Sequence, residues 1–162
     1  MNSVYATAFQ LLKTNDPESI AKGFAMLRSE VESRPSDMKA LFEYAGAFDF
    51  MGKEADALPH YEKILQRGYE KLPLDDQPRL FVQLGSTLRN LNQFSRSREI
   101  LEQGLKYFPQ YSALMAFLAL TEYSLGNHAQ STQLLFEVLL ENPTDSSITD
   151  YSRALRWYSK NI

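Results

Sequence analysis

Residues 78–109, PRLFVQLGSTLRNLNQFSRSREILEQGLKYFP, are followed at 112–143 by SALMAFLALTEYSLGNHAQSTQLLFEVLLENP, and the two stretches correspond at an interval of thirty-four residues. Leu84-Gly85 returns as Leu118-Ala119, Leu101 as Leu135, Leu105 as Leu139 and Pro109 as Pro143. The recurring positions are the small and apolar ones that let two antiparallel helices pack closely, so the interval reads as an array of helical hairpins. Upstream the same interval links Leu27 to Tyr61 and Val31 to Leu65.

Gly52, Asn92 and Gly126 each end one apolar-periodic stretch and precede another, as the turn of a helical hairpin does; asparagine tolerates the left-handed conformation nearly as glycine does. Between the turns the period is helical: Leu41, Tyr44, Ala45 and Phe48 lie three and four apart, as do Phe81, Leu84, Gly85 and Leu88. Pro35, Pro109 and Pro143 fall where second helices should stop. Gly85, Ala45 and Ala119 are expected to face Ser97, Ala57 and Ser131 across each hairpin, where a leucine would wedge the helices apart. Phe48, Tyr61, Leu88, Leu101 and Leu135 are expected to fill the space toward the next hairpin.

These residues resemble the tetratricopeptide repeat family, whose pattern is a bulky residue, Leu-Gly, an aromatic, Ala, an aromatic and Pro. The unit from Met38 has Leu41, Tyr44-Ala45, Phe48, Gly52, Ala57 and Tyr61; that from Pro78 has Phe81, Leu84-Gly85, Leu88, Asn92, Phe94, Ser97, Leu101 and Pro109; that from Ser112 has Met115, Leu118-Ala119, Gly126, Ser131, Leu135 and Pro143. Glu122 stands where an aromatic is usual, which weakens one packing contact. The placement is similar to that of small bacterial group-5-type members with a lengthened inter-repeat loop.

The expected fold is all-α, a right-handed superhelix forming a single array over residues 1–162. It comprises a degenerate unit at about 4–37, units at 38–71, 78–111 and 112–145, an insertion at 72–77 and a capping helix at 146–162. In the first unit Asp16 caps and Pro17 opens the second helix. In the capping helix Tyr151, Leu155 and Tyr158 form the expected buried stripe.

The resemblance implies a protein- or peptide-binding scaffold whose first helices line a concave groove. The positions opposite the packing face supply the candidate contacts: Lys39, Phe42, Asp49 and Phe50; Arg79, Val82, Gln83 and Arg89; Phe117, Leu120 and Tyr123. Together they read as an apolar strip flanked by cations, a surface suited to an extended or amphipathic segment. The family's five-residue clamp for a C-terminal carboxylate would fall on Phe42, Gly46, Gln83, Ala113 and Phe117, and its chemistry is missing there. The rival readings are a self-associating protein, a homodimer paired through the groove or an array end, and a bacterial signalling-peptide receptor.

Composition is that of a soluble protein: 44% hydrophobic, 23% charged and a formal net charge of -3. That charge offers no bulk attraction to nucleic acid or to an anionic membrane, and neither is expected as a partner. Cysteine is absent, which excludes disulfides, thiolate metal sites and thiol nucleophiles. Met1 to Lys13 does not read as a signal peptide and no apolar run reaches membrane-spanning length, so the expected location is cytoplasmic. His60 and His128 lie two units apart, and His60 is read as a solvated residue of an outward-facing helix. Asp75-Asp76 is read as a solvated loop rather than a cation site. No catalytic residue, metal or cofactor is assigned, and the protein is not read as an enzyme.

Overall fold

The computed structural model describes residues 3–141 and 143–161, and among these every regular element is helical. The nine α-helices are α1 Val4–Leu12, α2 Pro17–Ser33, α3 Met38–Phe50, α4 Glu54–Arg67, α5 Gln77–Asn90, α6 Phe94–Tyr107, α7 Ser112–Ser124, α8 His128–Glu141 and α9 Ser146–Ser159. They pack as successive antiparallel pairs: α1 with α2, α3 with α4, α5 with α6 and α7 with α8, while α9 lies against α8.

The three later hairpins turn through one local device. Gly52, Asn92 and Gly126 take φ of 67°, 59° and 83°. The next residue's N–H then reaches back to the helix, Lys53 to the Phe48 carbonyl, Gln93 to Leu88 and Asn127 to Glu122, each at 2.9 Å. These left-handed caps satisfy carbonyls that a helix end would otherwise strand. The first hairpin turns differently. Asp16 Oδ2 accepts from the Ser19 N–H at 2.9 Å and Pro17 opens α2, which fits proline at a position whose N–H has no helical partner.

Close approach within each pair is set by the small residues. A Cβ on Gly85 would lie 2.6 Å from Leu101 Cγ, and one on Gly23 would lie 2.9 Å from the Ala8 carbonyl oxygen. Ser97, opposite Gly85, donates its hydroxyl to the Gly85 carbonyl at 2.7 Å. Tyr61, Leu88 and Leu101 are fully buried, each worth roughly 2 kcal/mol by area. Leu135, expected in the same role, is half-exposed.

Three other expectations are corrected by the packing. Asp75-Asp76, read as a solvated loop, lies in a short 3-10 turn, Leu74–Asp76; another, Tyr69–Lys71, precedes it, and Leu72 between them enters the core cluster with Met38, Leu41, Phe42 and Leu80. Glu122 does not merely weaken a contact. It is wholly buried, accepts two hydrogen bonds from the Arg98 guanidinium at 2.6 and 2.8 Å, and accepts one from the Asn127 amide at 2.7 Å. His60 is not a solvated residue. Its ring stacks on Phe48 at 5.8 Å and meets Tyr44 edge-on at 5.2 Å. Burial, reinforced by Lys63 and opposed by Asp56, pushes its pKa below the usual histidine value.

Candidate inner-face site

Helices α1, α3, α5 and α7 touch in sequence, and no pair among α2, α4, α6 and α8 does so to the same degree. The first helices of the hairpins therefore run along the inner side of the stack. Polar ties cross that side. Thr87 donates to Asp49 Oδ1 at 3.0 Å, joining α5 to α3, while Arg89 Nε donates to the Leu120 carbonyl and to Ser124 Oγ, both at 3.1 Å, joining α5 to α7.

The candidate contact residues divide between these ties, the core and open surface. Arg89 is committed to α7. Lys39 bridges Glu43 and Asp76 Oδ2, and Arg79 reaches Asp76 Oδ1 at 2.6 Å. Asp76, expected to be solvated, is 3% exposed and is the shared partner of both cations. The two hydrogen-bonded carboxylates outweigh the cost of burying Lys39 and hold its pKa above the usual lysine value. Phe42 differs from its expected place in an exposed strip: it is buried, because the turns carrying Leu72 and Asp76 fold over the start of α3. Its ring has Lys39 Nζ at 5.8 Å and the Arg79 guanidinium at 5.5 Å. Val82 and Phe117 are partly buried against the Phe81–Leu118 cluster. Phe50 and Tyr123 stay exposed, at 50% and 62%, as does Leu120 at 44%.

A depression of about 240 Å³ opens between α1, α3 and α5. Phe9 and Phe50 wall it, with ring centroids 6.1 Å apart and an edge-to-face tilt; Phe42, Glu43, Gly46, Asp49, Arg79 and Gln83 complete the lining. Burial pushes the Asp49 carboxyl above the usual aspartate value and the nearby Glu54 adds to this, against the stabilising Thr87 hydrogen bond. Beside it the buried Tyr61 hydroxyl donates to Gln83 Oε1 at 2.8 Å. Gly46 sits inside α3 without a positive φ, where glycine costs a helix about 1 kcal/mol relative to alanine.

Among the described residues no group of three or more histidines and carboxylates converges as metal ligands would, and no helix is long and apolar enough to cross a membrane.

The pattern described as tetratrico peptide repeat matches residues 38–162. The chain belongs to the tetratricopeptide repeat family. The solved structure described as MamA AMB-1 P212121 is similar to it in fold, with a TM-score of 0.68 at 16% identity, covering 83% of this chain and 75% of that one. No curated protein matches the chain.

One exposed aromatic surface, on α9, lies outside the sequence-based contacts. Helix α9 begins thirty-four residues after α7, so the interval carries Phe117, Leu120, Tyr123 and Ser124 onto Tyr151, Ala154, Trp157 and Tyr158. Tyr151 and Tyr158, expected to be buried, are exposed at 67% and 62%, and Trp157 at 62%. The face of α9 turned toward α8 presents Ile148, Ser152, Leu155 and the buried Ser159 instead. The aromatics line an open notch of about 530 Å³ with Asp150, Arg153 and Ala154. Carrying the interval past Pro143 reveals this register. A reading of α9 as a terminal cap conceals it, because a cap's aromatics are assumed to face inward.

Proposed function

We propose that this tetratricopeptide array is a non-enzymatic binding module that holds a segment of a partner protein along its inner face. The supporting observation is the exposure of Phe50, Leu120 and Tyr123 on inner helices α3 and α7. Large apolar side chains left to solvent in register on one face mark an interface, and a groove between helices suits an extended or amphipathic segment. The polar ties of Thr87 and Arg89 support the same reading, since they brace adjacent inner helices and prepare a surface before a guest arrives.

Selection from a displayed random-peptide library against the native protein tests this directly. Peptides that enrich on the native chain are expected to lose at least tenfold in affinity on a Leu120→Asp, Tyr123→Ser variant, about 1.4 kcal/mol or more, with helicity unchanged because both side chains are exposed. Equal binding to native and variant protein would sink the inner-face reading.

A second reading, self-association through the array end, is favoured by Tyr151, Trp157 and Tyr158 on α9 together with the half-exposed Leu135 and Leu139 on α8. A mass in solution that rises with concentration distinguishes it from a monomeric receptor.

A further inference from the structure

The depression between α1, α3 and α5 keeps open a space that the helix itself does not require. Six of the seven glycines have a structural reason to be glycine. Gly52, Gly68 and Gly126 carry positive φ, and a Cβ on Gly23, Gly85 or Gly104 would fall within 3.0 Å of a neighbour. Gly46 meets neither condition: a Cβ there would find Phe9 Cζ at 3.6 Å, Tyr61 Oη at 3.8 Å and Gln83 Oε1 at 3.9 Å, all ordinary contacts. Alanine fits and would strengthen α3. What glycine preserves at this position is the hole.

The charges around that hole are unbalanced in one direction. Lys39 and Arg79 are both taken up by Asp76, and Lys39 also by Glu43. Among the described residues no cation lies within salt-bridge distance of Asp49; the groups beside its carboxylate are the neutral hydroxyls of Thr87, at 3.0 Å, and Tyr61. A carboxylate held partly out of water with only neutral donors gains most from an incoming cation. The Phe9 and Phe50 rings beside it offer apolar walls to an aliphatic stem and π-faces to a charge.

We propose that this pocket receives a single lysine or arginine side chain of the bound segment, its cationic head on Asp49 and its stem against the wall formed by the Phe9–Phe50 ring pair. The proposal rests on the inner-face reading above and specifies the chemistry of one anchor within it. Arg79 does not redirect the site toward an acidic guest, because its charge is already matched by the nearly buried Asp76.

The test uses peptides from the library selection, each prepared with its lysine or with norleucine, which keeps most of the stem and deletes the charge. Native protein is expected to prefer the lysine form at least tenfold, and Asp49→Asn, which retains an acceptor for Thr87, is expected to reduce that preference to within about twofold. Gly46→Ala gives an independent readout with opposite signs: Tm rises by about 3 °C while the lysine peptide binds several-fold more weakly. Equal binding of both peptide forms by native protein, a preference that survives Asp49→Asn, or enrichment of acidic peptides overturns the proposal while leaving the inner-face reading standing. A library that yields no peptide dependent on Leu120 and Tyr123 overturns both.

Discussion

Gly85→Leu is expected to destabilise the array by ~3 kcal/mol, a fall in Tm of roughly 6–12 °C for a chain of this size. The cause is local and specific. The first added carbon would stand 2.6 Å from Leu101 Cγ and 2.7 Å from Leu101 Cδ2, and Leu101 is itself fully buried, so it has nowhere to swing. Relief requires α5 and α6 to separate. Separation in turn breaks the 2.7 Å bond from Ser97 to the Gly85 carbonyl and the 2.9 Å contact of Ser97 with the Thr121 hydroxyl on α7. Damage thus spreads to the next hairpin, as expected where stability is a sum of units and their interfaces. Thermal unfolding followed by circular dichroism measures it, with Gly46→Ala as the contrasting substitution; an unchanged melting curve for Gly85→Leu would rule out the packing account.

The second large effect concerns Glu122. Arg98→Ala would leave a fully buried carboxylate with only the Asn127 amide, and loss of one member of such a pair costs ~3 kcal/mol or more. A double variant, Arg98→Leu with Glu122→Met, is expected to recover most of this, because the loss comes from a stranded charge rather than from missing volume. The pH dependence has a definite sign. Burial would raise the Glu122 pKa, but the Arg98 and Asn127 hydrogen bonds outweigh it and hold the carboxyl below its ordinary value of 4.5. The folded state therefore binds this proton less readily than the unfolded chain. The resulting stability is fully present above the ordinary glutamate value and is lost as pH falls through the lower folded value. Denaturant melts of native protein and Glu122→Gln between neutral and strongly acidic pH should show the native chain losing more stability. Parallel losses would remove this assignment.

Much of the architecture is legible in the sequence because each signal is local. Gly52, Asn92 and Gly126 need no tertiary information to mark left-handed caps, since the steric penalty there belongs to a residue's own Cβ. Asp16-Pro17 likewise announces the start of α2 from neighbouring atoms alone. The small residues at Gly85 and Ser97 are visible through their repeat interval. Surface contacts are less legible. Exposure of Phe50, Leu120 and Tyr123 follows from helix register, yet Phe42, in the same register, is buried because a segment with its own irregular backbone folds across it. Charge at Lys39, Arg79 and Arg89 is evident in the chain; its consumption by Asp76, Leu120 and Ser124 is not.

Period, turn chemistry and the choice of small residues thus follow from sequence, because they depend on atoms within a few bonds or on one recurring interval. Which side chains remain open to a guest depends on packing between separated segments. Asp76 meets Lys39 thirty-seven positions away, Glu122 meets Arg98 on another helix, and α9 turns Ser152 and Ser159 inward and its aromatics out. Each outcome is a competition among burial, pairing and solvation that is resolved when the hairpins stack.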